Sequence, residues 1–360
     1  MRRLERKDMR AFLDKLASAA SLVAPVREDG VVVFRPVSSG EQVVLDYVNP
    51  VRSAKELFFP QTEVMFRFLP SPVAGITPVQ PDRQTVLFGI RPCDLAALSL
   101  LDEVFLGGDY RDACWARRRE LTTLVGMACE QPDESSCFCT AFGITPGTAD
   151  GADIMLYPAG EWLGVEVLTP RGQALLDRVL SDGAVALGEI GPPGAASQAG
   201  AGGGAGEAGD RLQQEYLKRP VRLGDRLRVG DLAKELDDRF DDPYWEEASR
   251  RCLGCGICTY LCPTCHCFLV TDVPKRDDGV RLRCWDSCQF KDFLLMAGGH
   301  NPRPTKKERT RQRFMHKLNY FVHRYGRYLC TGCGRCVQHC PVGLDMATVI
   351  ADLRGVSEHV

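Results

Sequence analysis

Cys252, Cys255, Cys258 and Cys262, followed by Pro263, have the spacing C-x2-C-x2-C-x3-C-P, and Cys330, Cys333, Cys336 and Cys340, followed by Pro341, repeat it. This is the ligand pattern of two-cluster ferredoxins. Three cysteines spaced by two residues let one tight loop offer three thiolates to the corners of an iron-sulfur cube. Gly254, Gly256, Gly332 and Gly334 let backbone approach the sulfides. The fourth cysteine lies too far along to close the same loop, and in two-cluster ferredoxins it reaches across to the other cluster. The expected sets are therefore Cys252, Cys255, Cys258 with Cys340, and Cys330, Cys333, Cys336 with Cys262. Two [4Fe-4S] clusters follow. Zinc knuckles also use C-x2-C pairs, but four cysteines closed by Cys-Pro, twice over, point away from zinc.

The chain has seventeen cysteines, so nine lie outside these motifs. Cys93, Cys129, Cys137 and Cys139 fall at expected strand ends or in the loop beyond, where one sheet edge would gather four thiolates. Two readings stand: a third [4Fe-4S] cluster, or structural thiols, since the spacing matches no standard motif. Cys265 and Cys267 in CPTCHC and Cys284 and Cys288 in RCWDSC read either as a further redox site or as buried thiols packed as small hydrophobes. Those four and Cys114 stay unassigned. His266 and His300 read as hydrogen-bonding neighbours rather than ligands.

The elements that position these residues begin with a helix over 7–20, where Met9, Phe12, Leu13 and Leu16 recur at helical spacing, followed by strands at Val31–Phe34 and Val43–Leu45. A strand at Thr85–Gly89 leads to Cys93 and to Asp94, placed as an N-cap before Leu95–Leu101. The strand Leu121–Met127 delivers Cys129. From Gly191 to Asp210 glycine and alanine dominate, which predicts a linker or insertion without a core. Asp242 and Pro243 start a helix leading to Cys252, and another helix is expected over 305–325. The fold class is α+β: an N-terminal mixed α/β domain over 1–190, the linker at 191–210, and a mainly helical two-cluster ferredoxin-type domain over 211–360.

Other chemistry is not supported. Lys and Arg total 45 against 47 Asp and Glu, so net charge implies no nucleic-acid partner. The stretch 303–327 does carry nine Lys or Arg and one acid, Glu308. It reads as a solvated helix face, a dock for an acidic partner or offset for cluster charge, or, last, a nucleic-acid contact. No apolar run is long enough to span a membrane, and Asp14 and Lys15 interrupt the place of a signal peptide, so a cytoplasmic location is expected. No nucleotide motif, no catalytic triad and no paired carboxylates stand out, and no catalytic side chain is identified.

Several segments together resemble a known family, the iron-sulfur beta subunit of cytoplasmic sulfhydrogenases and the A subunit of anaerobic sulfite reductase. They are FFPQTE from Phe58, FGIRPCDLAAL from Phe88, ACEQPDESSCFC ending at Cys139, and CLGCGICTYLCPTCHCF from Cys252. WDSC from Trp285, MAGGHNPR from Met296, RQRFMHK ending at Lys317 and CTGCGRCVQHCP from Cys330 continue it. The resemblance implies a relay subunit passing electrons between a flavin- and nicotinamide-binding partner and a hydrogenase or a sulfur or sulfite reductase partner, with no flavin of its own. It also implies ligand roles for Cys93, Cys129, Cys137 and Cys139. Cys114, Cys284 and the Gly/Ala stretch depart from the family pattern. The alternative is a flavin-dependent reductase with a built-in ferredoxin domain; a third reading, a zinc-stabilised interaction module, predicts colourless protein.

Overall fold

A computed structural model describes residues 1–69, 75–190, 205–275 and 278–355. Eight strands form one sheet: β1 (Arg2–Glu5), β2 (Ser21–Glu28), β3 (Val31–Val37), β6 (Thr85–Ile90), β7 (Thr122–Met127), β8 (Ile154–Ala159), β9 (Trp162–Val167) and β10 (Gly188–Glu189). Their order is β10-β1-β9-β8-β7-β6-β2-β3, and the centre β2-β6-β7-β8 is parallel. Strands covered on both faces are apolar throughout, as TVLFGI and TTLVGM are. Their side chains alternate by period two: Val86 and Phe88 pack with Phe12, Leu16 and Leu176 on one face, while Leu87 and Ile90 pack with Leu98, Phe105 and Trp115 on the other.

The parallel strands end at one edge, and the chain leaves it carrying cysteines. After β6 it passes Arg91 and Pro92 to Cys93; after β7, Ala128 leads to Cys129. Gly89, at a positive φ of 80°, makes the bulge that shifts the β6 register between Phe88 and Ile90. Ligand sites of open α/β sheets gather beyond such strand ends.

A second sheet has the order β11-β12-β4-β5, from β4 (Thr62–Phe68), β5 (Ile76–Pro78), β11 (Phe268–Pro274) and β12 (Gly279–Trp285). The pairing of β12 with β4 joins segments some 200 residues apart along the chain. It also places strands in the C-terminal part, where the sequence implied a mainly helical domain. Arg283 on β12 is 1% exposed and binds Glu63 of β4 through Nε at 2.6 Å, with Asp112 as its second carboxylate.

Other expectations meet mixed outcomes. The first helix spans Met9–Ala19, and Tyr244–Arg251 leads into Cys252. The basic stretch is helical over Lys306–Met315 and Phe321–Tyr325, with a π-helical segment, His316–Tyr320, between. Val43–Leu45 is not a strand: β2 is already flanked by β3 and β6, and Val44 gains a single bond from its N–H to the Pro25 carbonyl, 2.8 Å. Asp94 is not an N-cap, because the helix Pro92–Leu106 starts two residues earlier. Of the Gly/Ala stretch, 191–204 lies outside the described residues, and Ala205–Leu217 is a helix that takes in 205–210. Among the described residues no helix is long and apolar enough to cross a membrane.

Asp94 instead accepts two bonds from Arg335, at 2.7 and 2.8 Å, and both residues are buried to 1% exposure or less. The Arg335 Nε also donates to the Pro50 carbonyl, 2.8 Å. The pair clamps the N-terminal sheet edge to the second cysteine motif. Asp94→Ala leaves the guanidinium charged without its partner and is expected to cost roughly 3–5 kcal/mol, seen as a lower urea midpoint of unfolding. Asp94→Leu combined with Arg335→Met is expected to recover part of that loss.

Candidate metal centres

Twelve of the seventeen cysteines divide by position, and three cavities receive them four at a time. The first is walled by Cys252, Cys255, Cys258 and Cys340 with Gln289 and Leu344. The second is walled by Cys262, Cys330, Cys333 and Cys336 with Arg313, Lys317, Arg335 and Thr331. The third, of similar size to the others, takes Cys93, Cys129, Cys137 and Cys139 with Asn49, Arg91 and Pro146. Each motif's fourth cysteine faces the other motif's cavity. Cys333 and Gly332 also border the third cavity, so the second and third share a wall.

Local backbone makes these walls. Gly254 and Gly256 have φ of 69° and 77°, which turns the loop of the first motif. Gly332 and Gly334 serve a further purpose: a Cβ on Gly332 would lie 2.4 Å from the Phe138 carbonyl carbon, and one on Gly334 would lie 2.8 Å from the Ser136 oxygen. The Phe138 N–H donates to the Gly332 carbonyl, 2.8 Å. These glycines therefore let the 136–139 loop pass against the second motif. Arg91 frames the third cavity, with Nε donating to Val48 O at 3.0 Å and Nη1 to Ala128 O at 2.8 Å. The Asn49 amide reaches Cys333 O at 2.7 Å.

Burial dominates the electrostatics. It pushes the Cys330 and Cys137 thiols up to about 12 and raises Cys93, Cys139, Cys333 and Cys336 as well. Thiols in such places ionise when a cation binds them, and metal binding then releases their protons. Cys262 runs the other way, held well below its ordinary value by a hydrogen bond from Cys265, by Lys317 and by Thr264. Burial opposes charge on Lys317, yet Cys262, Cys265 and Cys330 outweigh it and raise its pKa. Burial lowers His266 to about 4 and His316 to about 3, so both imidazoles are neutral near pH 7, and their rings meet edge-on at 5.6 Å.

The basic helix turns out to aim inward. Arg313 is 3% exposed and Lys317 2%, and the lysine donates to Thr264 Oγ1 at 2.6 Å and Leu329 O at 2.9 Å. Residues four apart share a helix face, a spacing visible in the sequence but masked by the surrounding charge. Arg313 Nη2 contacts Cys258 O at 3.4 Å, on the side of the first cavity, while Nε and Nη1 have no partner. Thr331 Oγ1, also in the second cavity wall, has none either. Buried donors without acceptors are costly; the sulfides and thiolates of an iron-sulfur cube are acceptors of the kind this wall lacks. The residues present fit such a group. Among the described residues no three His, Cys, Asp or Glu side chains draw together tightly enough for a single metal ion. Zinc takes thiolates at about 2.3 Å, whereas a four-iron cube spreads its ligands over its corners.

The remaining cysteines lie elsewhere. Cys114 is buried in the helix Ala113–Leu121, and Cys284 stands on β12 opposite Leu269. Cys265, Cys267 and Cys288 lie beside the cavities without lining them. His300 is exposed in a loop. Removing the buried charge by Arg313→Met is expected to leave iron content unchanged and make reduction harder. In a titration followed by electron paramagnetic resonance, the reduced-to-oxidised ratio at fixed potential should fall about tenfold, or 59 mV for one electron.

A model of the 4Fe-4S dicluster domain matches residues 251–344, which include both motifs. The beta subunit of sulfhydrogenase 2 from Pyrococcus furiosus is 32% identical over 351 residues, covering 95% of this chain and 95% of the relative. No solved structure matches. With a 4Fe-4S dicluster domain in its C-terminal part and this identity along nearly the whole of both chains, the protein belongs to the sulfhydrogenase beta-subunit family.

Proposed function

We propose that the chain is the electron-transfer subunit of an oxidoreductase complex and that it holds three [4Fe-4S] clusters. Cys252, Cys255, Cys258 and Cys340 would hold the first, Cys330, Cys333, Cys336 and Cys262 the second, and Cys93, Cys129, Cys137 and Cys139 the third. The observation that carries this reading is the sorting of twelve cysteines into three cavities of similar size, four in each. When bound, each cluster takes up and passes on one electron.

The chain's own residues set the conditions for that transfer. Arg313 and Lys317 supply positive charge, and backbone N–H groups bond to sulfur: Gly254 to Cys252 at 3.4 Å and Leu344 to Cys340 at 3.2 Å. Such bonds and buried charges tune potential. The shared wall at Cys333 connects the third cavity to the second, and Arg313 spans from the second to Cys258 of the first. One end meets the surface where Cys255 and Leu253 are exposed. At the other end, Pro132 separates the third cavity from an open groove lined by Glu130, Asp133, Arg219 and Arg222.

In this reading residues 1–190 supply the ligands of the third cluster and residues 211–360 those of the other two. A relative that is by name one subunit of a sulfhydrogenase supports partner subunits in a complex; in this reading they are a flavoprotein linked to NAD(P)H, and a hydrogenase or a sulfur or sulfite reductase. Unpaired cysteines throughout the described chain support a reducing, cytoplasmic compartment.

Protein purified and assayed without oxygen is expected to contain about twelve irons and as many labile sulfides per chain, and broad visible absorption without flavin bands. Replacing both Cys137 and Cys139 by Ser is expected to lower iron to about eight while the other clusters remain. About eight irons in the unaltered protein would remove the third cluster. Bound zinc with no labile sulfide would end the proposal altogether.

A further inference from the structure

Three thiols beside the cavities have no place in the relay, and two of them touch. Cys267 precedes β11 and Cys288 follows β12, so both stand at the same end of the ribbon. The ladder continues one step past the strands, where the Asp286 N–H donates to the Cys267 carbonyl at 3.0 Å. Beyond it Ser287 Oγ contacts Thr259 Oγ1 at 2.8 Å and accepts from the Gln289 N–H at 3.1 Å, which fixes a turn. That turn carries Cys288 back toward Cys267, and the two thiols interact side chain to side chain.

Gln289 connects this pair to the first cavity. Its Nε2 lies 3.6 Å from Cys288 Sγ and its Oε1 lies 3.8 Å from Cys252 Sγ, and it forms part of the first cavity's wall. Cys265 faces elsewhere, donating to Cys262 on the second cavity. The three thiols therefore do not enclose a common space as the ligands of another cube would. Cys267 and Cys288 instead interact with each other, and neither lines any of the three cavities.

We propose that Cys267 and Cys288 form a redox-active dithiol, a two-electron site beside the first cavity. On closing, each thiol loses a proton and the pair loses two electrons as the S–S bond forms. On opening, that bond breaks, and two electrons and two protons restore two thiols. One-electron iron-sulfur carriers supply or take the electrons singly, and only this electron source rests on the function proposed above. The hydrogen bond from Cys267, with help from Gln289, Arg313 and Lys317, favours the thiolate of Cys288, the form that attacks a sulfur.

The test poises full-length, anaerobically purified protein in buffers of oxidised and reduced dithiothreitol, blocks free thiols with iodoacetamide, and maps peptides by mass spectrometry. A crosslink between Cys267 and Cys288, 2 Da below the dithiol mass, is expected under oxidising poise and should disappear under reducing poise. It should vanish in Cys288→Ser and persist in Cys284→Ser, with iron content as in the unaltered protein in both. No crosslink at any poise overturns the proposal. Loss of about four irons in Cys288→Ser also overturns it, since the thiol would then be a cluster ligand. The crosslink is read without reference to the clusters, so a failed relay and a failed dithiol give different results.

Discussion

Sulfur carrying negative charge away from water must have positive charge nearby, and the rest of this structure is arranged around that requirement. Burying a cation is itself expensive, yet Arg313, Lys317, Arg335, Arg91 and Lys55 are all nearly inaccessible. Each is explained by what surrounds it. Arg335 meets Asp94 at the boundary of the second and third cavities, Arg91 meets four carbonyl groups beside the third, and Lys55 donates to the Cys265 carbonyl at 2.9 Å. Arg313 is the informative exception, because its buried Nε and Nη1 have no partner among the described residues.

The same residues hold the fold together. The clamp at Asp94 and Arg335 spans 241 positions, and the pairing of β12 with β4 is of similar reach. The sheet edge, the loop at 136–139 and the second motif consequently form one unit of structure, in which Gly332 and Gly334 mark the line of closest approach. Chemistry and architecture use the same contacts here.

How much of this was legible beforehand depended on how local each signal was. That Cys340 would line one cavity with Cys252, Cys255 and Cys258, and Cys262 another with Cys330, Cys333 and Cys336, could be anticipated because the ferredoxin ligand pattern has a fixed spacing. Cys93 and Cys129 could be placed because apolar runs mark buried parallel strands, whose ends meet. The spacing of Cys137 and Cys139 had no such standard, and only the fold brings them to the same edge. The β11–β12 ribbon was missed because TDVP and VRLR show charge where strands usually show apolar alternation, and because the partner of β12 lies far away in sequence. Arg313 and Lys317 were hidden among other basic residues: composition reports how many charges a helix has, not which of them turn inward. Asp94 was misread because an acid near a helix start has a local use, while its actual partner lies far along the chain.

The distance between clamped residues also bears on the order of events during synthesis. Every cavity has part of its wall beyond position 329: Cys340 for the first, Cys330 and Cys336 for the second, Gly332 and Cys333 for the third. A nascent chain still on the ribosome at that point has made most of its sulfur donors and completed no cage. On the function proposed above, metal delivery would be tied to translation of the last segment, since the walls that close each cavity come from it.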